Sequence, residues 1–299
     1  MVAPSGEQFR IASDGYEAVI TESGAALRSL TFHGRDLVDG FAEDAMSSGG
    51  RGQLLTPWPN RIRDGRYSFD GSAHQLAHTE PSRRNASHGL ARWAAWWVLG
   101  ESETHVALGY RVMAQTGYPW TLDVKVRYEI GPGGLRVTQA ATNQCASAAP
   151  YAQGAHPYLT CGLGPIDSWT LELPASTRLL TDKERLLPIG RESVDGTAYD
   201  FRMTAPIGDI AFNHCFTDLA RADDHTIVRI SDGAHTTALW VDRSWPWLLL
   251  YSADDTSVPR RSLAVEPMSA PIDAFNSGED LIRLEPRETH RGAWGIFAD

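Results

Sequence analysis

The sequence predicts an all-β protein built as a large antiparallel β-sandwich, and three observations carry that expectation. Strand-period alternation recurs from end to end, long helical periodicity is nearly absent, and the periodic runs are separated by Gly, Pro and Asp turns with no alternation of strand and helix. Sheets packed face to face satisfy that pattern.

Taken in order, the first paired runs lie in "EAVITESGAALRSLTFHG", from Glu17 to Gly34. The stretch "ARWAAWWVLG" after it is read as a strand, because its aromatic load suits a pleated surface better than a helix. "THVALGYRVMA" follows, and then the clearest element, "TLDVKVRYEI", which sets Leu122, Val124, Val126, Tyr128 and Ile130 on one face and charged residues on the other. A "GPGG" turn leads into "LRVTQAATN", so residues 120–143 are expected to form a hairpin. "SWTLELPA", "HTIVRISDGAHTTALWVD" and "WLLLYSAD" supply further strands. No linker, composition shift or repeat divides the chain, and residues 1–299 are expected to form one domain.

Composition narrows the function. With 299 residues, 42% of them hydrophobic, the chain can bury a large core. A formal charge of -10, from 27 basic and 37 acidic residues, and the lack of any Lys/Arg run argue against a nucleic-acid partner. Cys145, Cys161 and Cys215 are an odd set without metal-ligand spacing, as expected of small buried hydrophobes in a reducing compartment. The opening "MVAPSGEQFRIA" has no basic segment followed by an apolar one, and no apolar run approaches a membrane span, so a cytoplasmic protein is expected. In that setting the "NAS" sequon at Asn85 is idle.

No Walker loop, HExxH helix, CxxC pair or GxSxG elbow occurs, and acid/base chemistry is what remains. Four segments stand out. In "TPWPNRIRDG", Pro57 and Pro59 stiffen the approach to Asn60 and Arg61, so this arginine is held rather than loose, although a surface loop arginine reads the same way. His88 sits before a glycine in "SHGLARW", where an exposed turn histidine is the plainer alternative. His156, in "GAHPYL", follows two small residues and is restricted to extended geometry by Pro157, but a lone histidine is more often structural. Glu266 ends the apolar run "SLAV" before Pro267, and a carboxylate at the end of a buried strand needs a partner. Ten tryptophans are mostly core, with some free to serve as sugar-stacking platforms.

In this order the segments "NRI" (Asn60 to Ile62), "HG" (His88, Gly89), "HPY" (His156 to Tyr158) and "EP" (Glu266, Pro267) followed by "FNSG" resemble the aldose 1-epimerase, or galactose mutarotase-like, family. The likeness runs from about Gly24 to Gly292. "PWPNRIRDG" and "HGLARWAAW" look most like a bacterial branch that includes sulfosugar mutarotase-like proteins. The resemblance implies a galactose mutarotase-like supersandwich with an open sugar-binding cleft. It implies Glu266 as the base that takes the C1-hydroxyl proton and His156 as the acid that protonates the ring oxygen. Arg61, Asn60, His88 and Tyr158 would then bind sugar. Asn213, in "FNHCF", stands where the family usually has an aspartate, and holds a hydroxyl less strongly than an ionised carboxylate would.

Anomer exchange suits such a pair on chemical grounds, because opening and closing a hemiacetal moves one proton at each end, and one base and one acid suffice. No metal or organic cofactor is expected, and the expected partner is a small-molecule sugar. A glycosidase would need two carboxylates; Asp273, the nearest companion of Glu266, reads as a loop residue. Two alternatives stay open: a non-catalytic sugar-binding protein on the same scaffold, and an epimerase for a 6-sulfo or 6-phospho hexose, for which Arg83 and Arg84 are candidate contacts. Neither the particular aldose nor the oligomeric state follows from the sequence.

Overall fold

A computed structural model describes residues 2–162 and 164–299. The predicted hairpin is its longest strand pair: Leu122–Gly131 runs antiparallel to Gly134–Asn143 in unbroken register, Leu122 opposite Asn143. Leu122, Val124, Val126, Tyr128 and Ile130 are all buried, while the residues between them are half-buried or exposed. The two-residue turn works because Gly134 takes φ 89°, and a side chain there would strike the Ile296 carbonyl. This hairpin is the middle of a nine-stranded sheet. Trp97–Glu101 and His105–Val112 flank it on one side; on the other, Thr289–Ala298 pairs with Gly134–Asn143 and is followed by Thr236–Val241, Thr226–Ser231, Thr170–Glu172 and Ala205–Pro206.

An eight-stranded antiparallel sheet faces it. Its order is Pro188–Ser193, Ala175–Thr181, Asn213–Leu219, Trp247–Tyr251, Leu263–Met268, Gly154–Ala155 and Leu54–Leu55, with Tyr158–Leu159 also paired to Leu263–Met268. Val126, Val137 and Ile296 from the first sheet and Phe216, Leu248, Leu250 and Val265 from the second belong to one buried cluster, the core of an all-β sandwich. Alternation then turns Cys215, Leu249 and Met268 to the far face, where they form a separate small cluster. Glu266 pairs directly with Leu249 and shares that far face. The carboxylate therefore lies off the main core, under the loops that cover the sheet.

A four-stranded sheet, from Gln8–Ser13 to Arg35–Asp36, joins the main core through residues such as Ile11, Ile20 and Leu30. The "ARWAAWWVLG" expectation is half corrected: Trp97–Glu101 is a strand, but residues 91–96 are a turn followed by one bridge, Ser23 to Ala95. Trp96 is buried while Trp93 and Trp97 are exposed, so the aromatic load does not mark one pleated face. Among the described residues all three cysteines are free thiols, and Cys161 and Cys215 are buried. No described helix is long and apolar enough to cross a membrane.

Candidate active site

Glu266 sits on Leu263–Met268, a strand buried at every position because its two faces are covered by different parts of the molecule. Its neighbour on one edge is interrupted. Gly154 pairs with Met268 and Tyr158 with Ala264, but between them the chain at His156 and Pro157 leaves the ladder, held by a single bond from the Val265 N–H to the Pro157 carbonyl. Pro157, which has no N–H to donate, suits that gap. The imidazole of His156 thereby reaches Glu266, with Nε2 3.2 Å from Oε1. Both side chains are almost wholly buried.

Asn60, Arg61 and His88 arrive together on a two-stranded ribbon, Arg61–Arg63 against Asn85–Ser87. Trp58, buried against Phe275 and Tyr118, anchors the stiff segment before it. Asn60 and His88 both take positive φ and are locked to each other: the Asn60 N–H donates to His88 Nδ1 at 3.2 Å, and the His88 N–H donates to the Asn60 carbonyl at 2.8 Å. The imidazole proton of neutral His88 consequently resides on Nε2. Arg61 donates from Nε and Nη2 to both oxygens of Glu80, at 2.8 and 2.9 Å, and from Nη1 to Asn60 Oδ1 at 3.2 Å. Asp273 secures the ribbon from below. Its Oδ1 accepts the Arg63 N–H at 2.9 Å and its own N–H donates to the Arg61 carbonyl, so this residue is structural rather than a second catalytic carboxylate.

These groups share one pocket of about 240 Å³, lined by Arg61, His88, Arg92, His156, Asn213 and Glu266, with Asn60, Arg83, Tyr251 and Asp255 on its rim and walls. Clefts elsewhere are larger, about 660 Å³ beside Arg28 and Arg35 and about 690 Å³ beside Tyr67, but neither brings a carboxylate and an imidazole together. Tyr158 is not on the pocket wall: it is buried behind His156 and its hydroxyl donates to the Gly49 carbonyl. No tryptophan lines the pocket either; Tyr251 is its aromatic wall. Arg92, absent from the expected set, is held by a reciprocal pair with Gln53, Nε to Oε1 at 2.8 Å and Gln53 Nε2 to the Arg92 carbonyl at 2.8 Å. Among the described residues it has no carboxylate partner.

The family model described as aldose 1-epimerase matches residues 7–296. The chain belongs to the aldose 1-epimerase family. It is therefore an isomerase, a sugar epimerase or mutarotase. An Escherichia coli (strain K12) relative named "Uncharacterized protein YihR" is 35% identical over 294 residues, spanning 98% of this chain and 94% of that protein. Solved structures share the fold. A GalM/aldose epimerase homologue from C. elegans superposes with a TM-score of 0.86 at 19% identity, covering 98% of both chains. A galactose mutarotase-like protein from Clostridium acetobutylicum gives 0.85 at 18% identity, over 97% of this chain and 94% of that one. A galactose 1-epimerase from Lactobacillus acidophilus NCFM gives 0.82 at 19%, also over 97% and 94%.

In this epimerase the pocket's electrostatics follow from burial. Loss of hydration pushes the Glu266 carboxyl up to about 8, against the opposing pull of the Arg61 and Arg92 guanidinium groups. It brings the His156 imidazole down to about 3, helped by Arg92 and Arg51. His88 is likewise held well below the usual histidine range by burial and by Arg92, His156 and Arg61. Near neutral pH the Glu266–His156 pair thus holds one proton between two atoms 3.2 Å apart. A pair that can both give and take a proton has the equipment for acid/base chemistry.

Proposed function

We propose that this epimerase interconverts the α and β anomers of a free aldohexose, with Glu266 and His156 as the proton-transfer pair. The observation that carries the reading is the 3.2 Å contact between two buried, oppositely shifted groups in a pocket rimmed by hydrogen-bond donors. The reactive arrangement is the carboxylate with the imidazolium; Arg61 favours it by stabilising the negative charge on Glu266, whereas Arg92 stabilises that charge but also opposes the imidazolium. Glu266 takes the proton of the C1 hydroxyl, the bond from C1 to the ring oxygen breaks, and His156 Nε2 gives its proton to that oxygen. The open aldehyde rotates about C1–C2. Closure on its other face returns each proton, so nothing is consumed. His88 Nε2–H, Arg61 and Asn213 are assigned to the sugar hydroxyls; Asn60 holds His88 and Arg61 in place. Residues 1–299 act as one unit in this reading, in keeping with the extent of the family match.

A non-catalytic sugar-binding role is disfavoured by the same contact, since binding alone has no use for a buried acid beside a buried base, whose burial is costly. A second reading, an anionic hexose, is favoured by Arg83 and Arg92 at the pocket. Anomer-exchange NMR on a panel of aldoses, including 6-sulfonated and 6-phosphorylated glucose, tests both. Exchange accelerated for at least one sugar is the expected result. Saturable binding of a sugar with no gain in its exchange rate overturns the catalytic reading.

A further inference from the structure

The imidazole of His156 lacks the usual orienting bond. Catalytic histidines are commonly aimed by a hydrogen bond at the ring nitrogen away from the reaction. Here Nδ1 is buried without a partner among the described residues. What holds the ring is packing. Tyr158 lies parallel to it, with an interplanar angle of 10° and centroids 5.0 Å apart. A Cβ on Gly50 would come within 2.8 Å of His156 Cδ2, so the backbone of the glycine loop "GGRG" closes on the edge of the ring. That loop binds the His156 backbone on both sides: the Gly52 N–H donates to the His156 carbonyl at 2.9 Å, and the His156 N–H to the Gln53 carbonyl at 3.1 Å.

The stacking partner is itself fixed twice. The Tyr158 hydroxyl donates to the Gly49 carbonyl at 2.9 Å, and the Arg51 guanidinium carbon lies 4.3 Å from the Tyr158 ring centroid. Arg51 in turn is tied by Nε and Nη2 to Asp39 Oδ2, at 3.3 and 3.2 Å, and by Nη1 to the Ser48 carbonyl at 3.2 Å. Asp39 is further held by Arg261 and by the Ser262 hydroxyl. A chain of contacts thus runs from a charged cluster outside the pocket to the face of the imidazole.

We infer that Tyr158, backed by Arg51 on Asp39, is a positioning residue that keeps the His156 ring aimed at Glu266 by stacking, and that it makes no contact with the sugar. The inference rests on the assignment of His156 to proton transfer. Loss of the stack frees the ring to rotate about its side-chain bonds, and a misplacement of about 1 Å at a reacting group costs up to about a hundredfold in rate.

The test combines kinetics of anomer exchange with ¹⁵N NMR of the imidazole in the sugar-free protein, for Tyr158→Leu, Tyr158→Phe and Arg51→Met. Tyr158→Leu is expected to lower kcat by about ten- to a hundredfold with KM within about threefold, and Tyr158→Phe, which keeps the ring, to recover most of that loss. In the NMR experiment the His156 nitrogen signals should broaden in Tyr158→Leu, and its titration should move up in Arg51→Met, with Glu266, His88, Arg92 and Tyr158 still facing the ring. A rise in KM at unchanged kcat makes Tyr158 a sugar contact and overturns the inference, as does a His156 ring as well ordered in Tyr158→Leu as in wild type. Should Tyr158→Leu fail to fold, Tyr158→Phe and Arg51→Met carry the test: Arg51→Met with unchanged kcat and unchanged imidazole signals overturns it. Failure of the functional assignment is separate, since His156→Asn would then keep the wild-type rate whatever Tyr158 does.

Discussion

Glu266 Oε1 and His156 Nε2 meet at 3.2 Å, from a continuous strand on one side and an interrupted one on the other, both side chains being nearly cut off from solvent. Neither group is buried cheaply, and each is the other's polar partner. Glu266→Gln and His156→Asn each delete a proton-transfer atom while keeping much of the shape. Each is expected to lower kcat by about two to four orders of magnitude and to leave sugar affinity within about tenfold. A Glu266→Gln protein near the wild-type rate would transfer the role of base to another residue.

Arg61 should fail in a different way. Its guanidinium is pre-oriented by Glu80 and Asn60, and a donor that holds sugar in ground and transition states alike contributes to KM as well as kcat. Arg61→Ala is expected to raise KM and lower kcat, and Glu80→Gln, which removes one side of the fork, to give a weaker version of the same change. If Glu80→Gln were as damaging to kcat as Glu266→Gln, with KM unmoved, Glu80 would belong to the chemistry rather than to its support.

The pH profile follows from the pair's single proton. With Glu266 pushed up to about 8 and His156 down to about 3, one proton is present between these values. The rate is therefore expected to stay level from pH 5 to 7 and to fall as pH rises through about 8, where no acid is left. Arg92 favours the ionised carboxyl, so Arg92→Met should move the alkaline limb to higher pH. A limb that stays in place or moves down shows that Arg92 does not act on this group.

How much of this was legible in the chain depends on what each residue faces. Leu122 to Ile130 could be read because one face of that strand is buried and the other is not. Leu263–Met268 shows no polar/apolar alternation because Leu263 and Val265 enter the main core while Ala264, Glu266 and Met268 are buried on the far face, and the one carboxylate within that run is conspicuous by itself. Arg92 carries no signal of its own because "ARWAAWW" reads as one strand, which hides an arginine four residues after His88 in a turn. The resemblance implies Tyr158 as a sugar contact, but its place next to His156 in the sequence does not say whether a ring lines a pocket or backs it. Glu80, the partner of Arg61, carries no local signal: the ribbon, not the sequence spacing, brings it there.

Burial of Glu266 also predicts a stability cost with a defined sign. Its folded pKa, about 8, lies above the ordinary value of 4.5, so the folded state binds the proton more tightly than the unfolded chain. That contribution is fully present below about pH 4.5 and is lost as pH rises through about 8. Glu266→Gln carries no such charge. The Tm of this variant relative to wild type should therefore climb between pH 5 and 8.5, when followed by thermal unfolding in matched salt. A difference that is flat across this range would mean that Glu266 ionises without penalty in the fold.

The loop "SRRN" offers two arginines of which the fold exposes one and turns the other inward. Arg83 is at the pocket, 3.4 Å through Nε from Glu80 Oε1, whereas Arg84 is exposed and caps the short turn at φ 54°. Arg185 donates to both backbone carbonyls at 3.0 Å, which holds the main chain of this loop in place. A guanidinium matches a sulfonate or phosphate by paired hydrogen bonds and has little to gain from a neutral hydroxymethyl group. The net charge of -10 provides no long-range attraction for an anion, so any preference must come from such local contacts. Arg83→Ala is expected to lower kcat/KM for 6-sulfonated or 6-phosphorylated glucose by about tenfold or more and to leave glucose and galactose within about twofold, while Arg84→Ala changes neither. The effect should shrink as salt is raised, because the contact lies at the pocket rim. Equal losses on neutral and anionic sugars would make Arg83 a general support of the site through Glu80, and an Arg84→Ala effect confined to anions would place the anionic group on the other side of the loop.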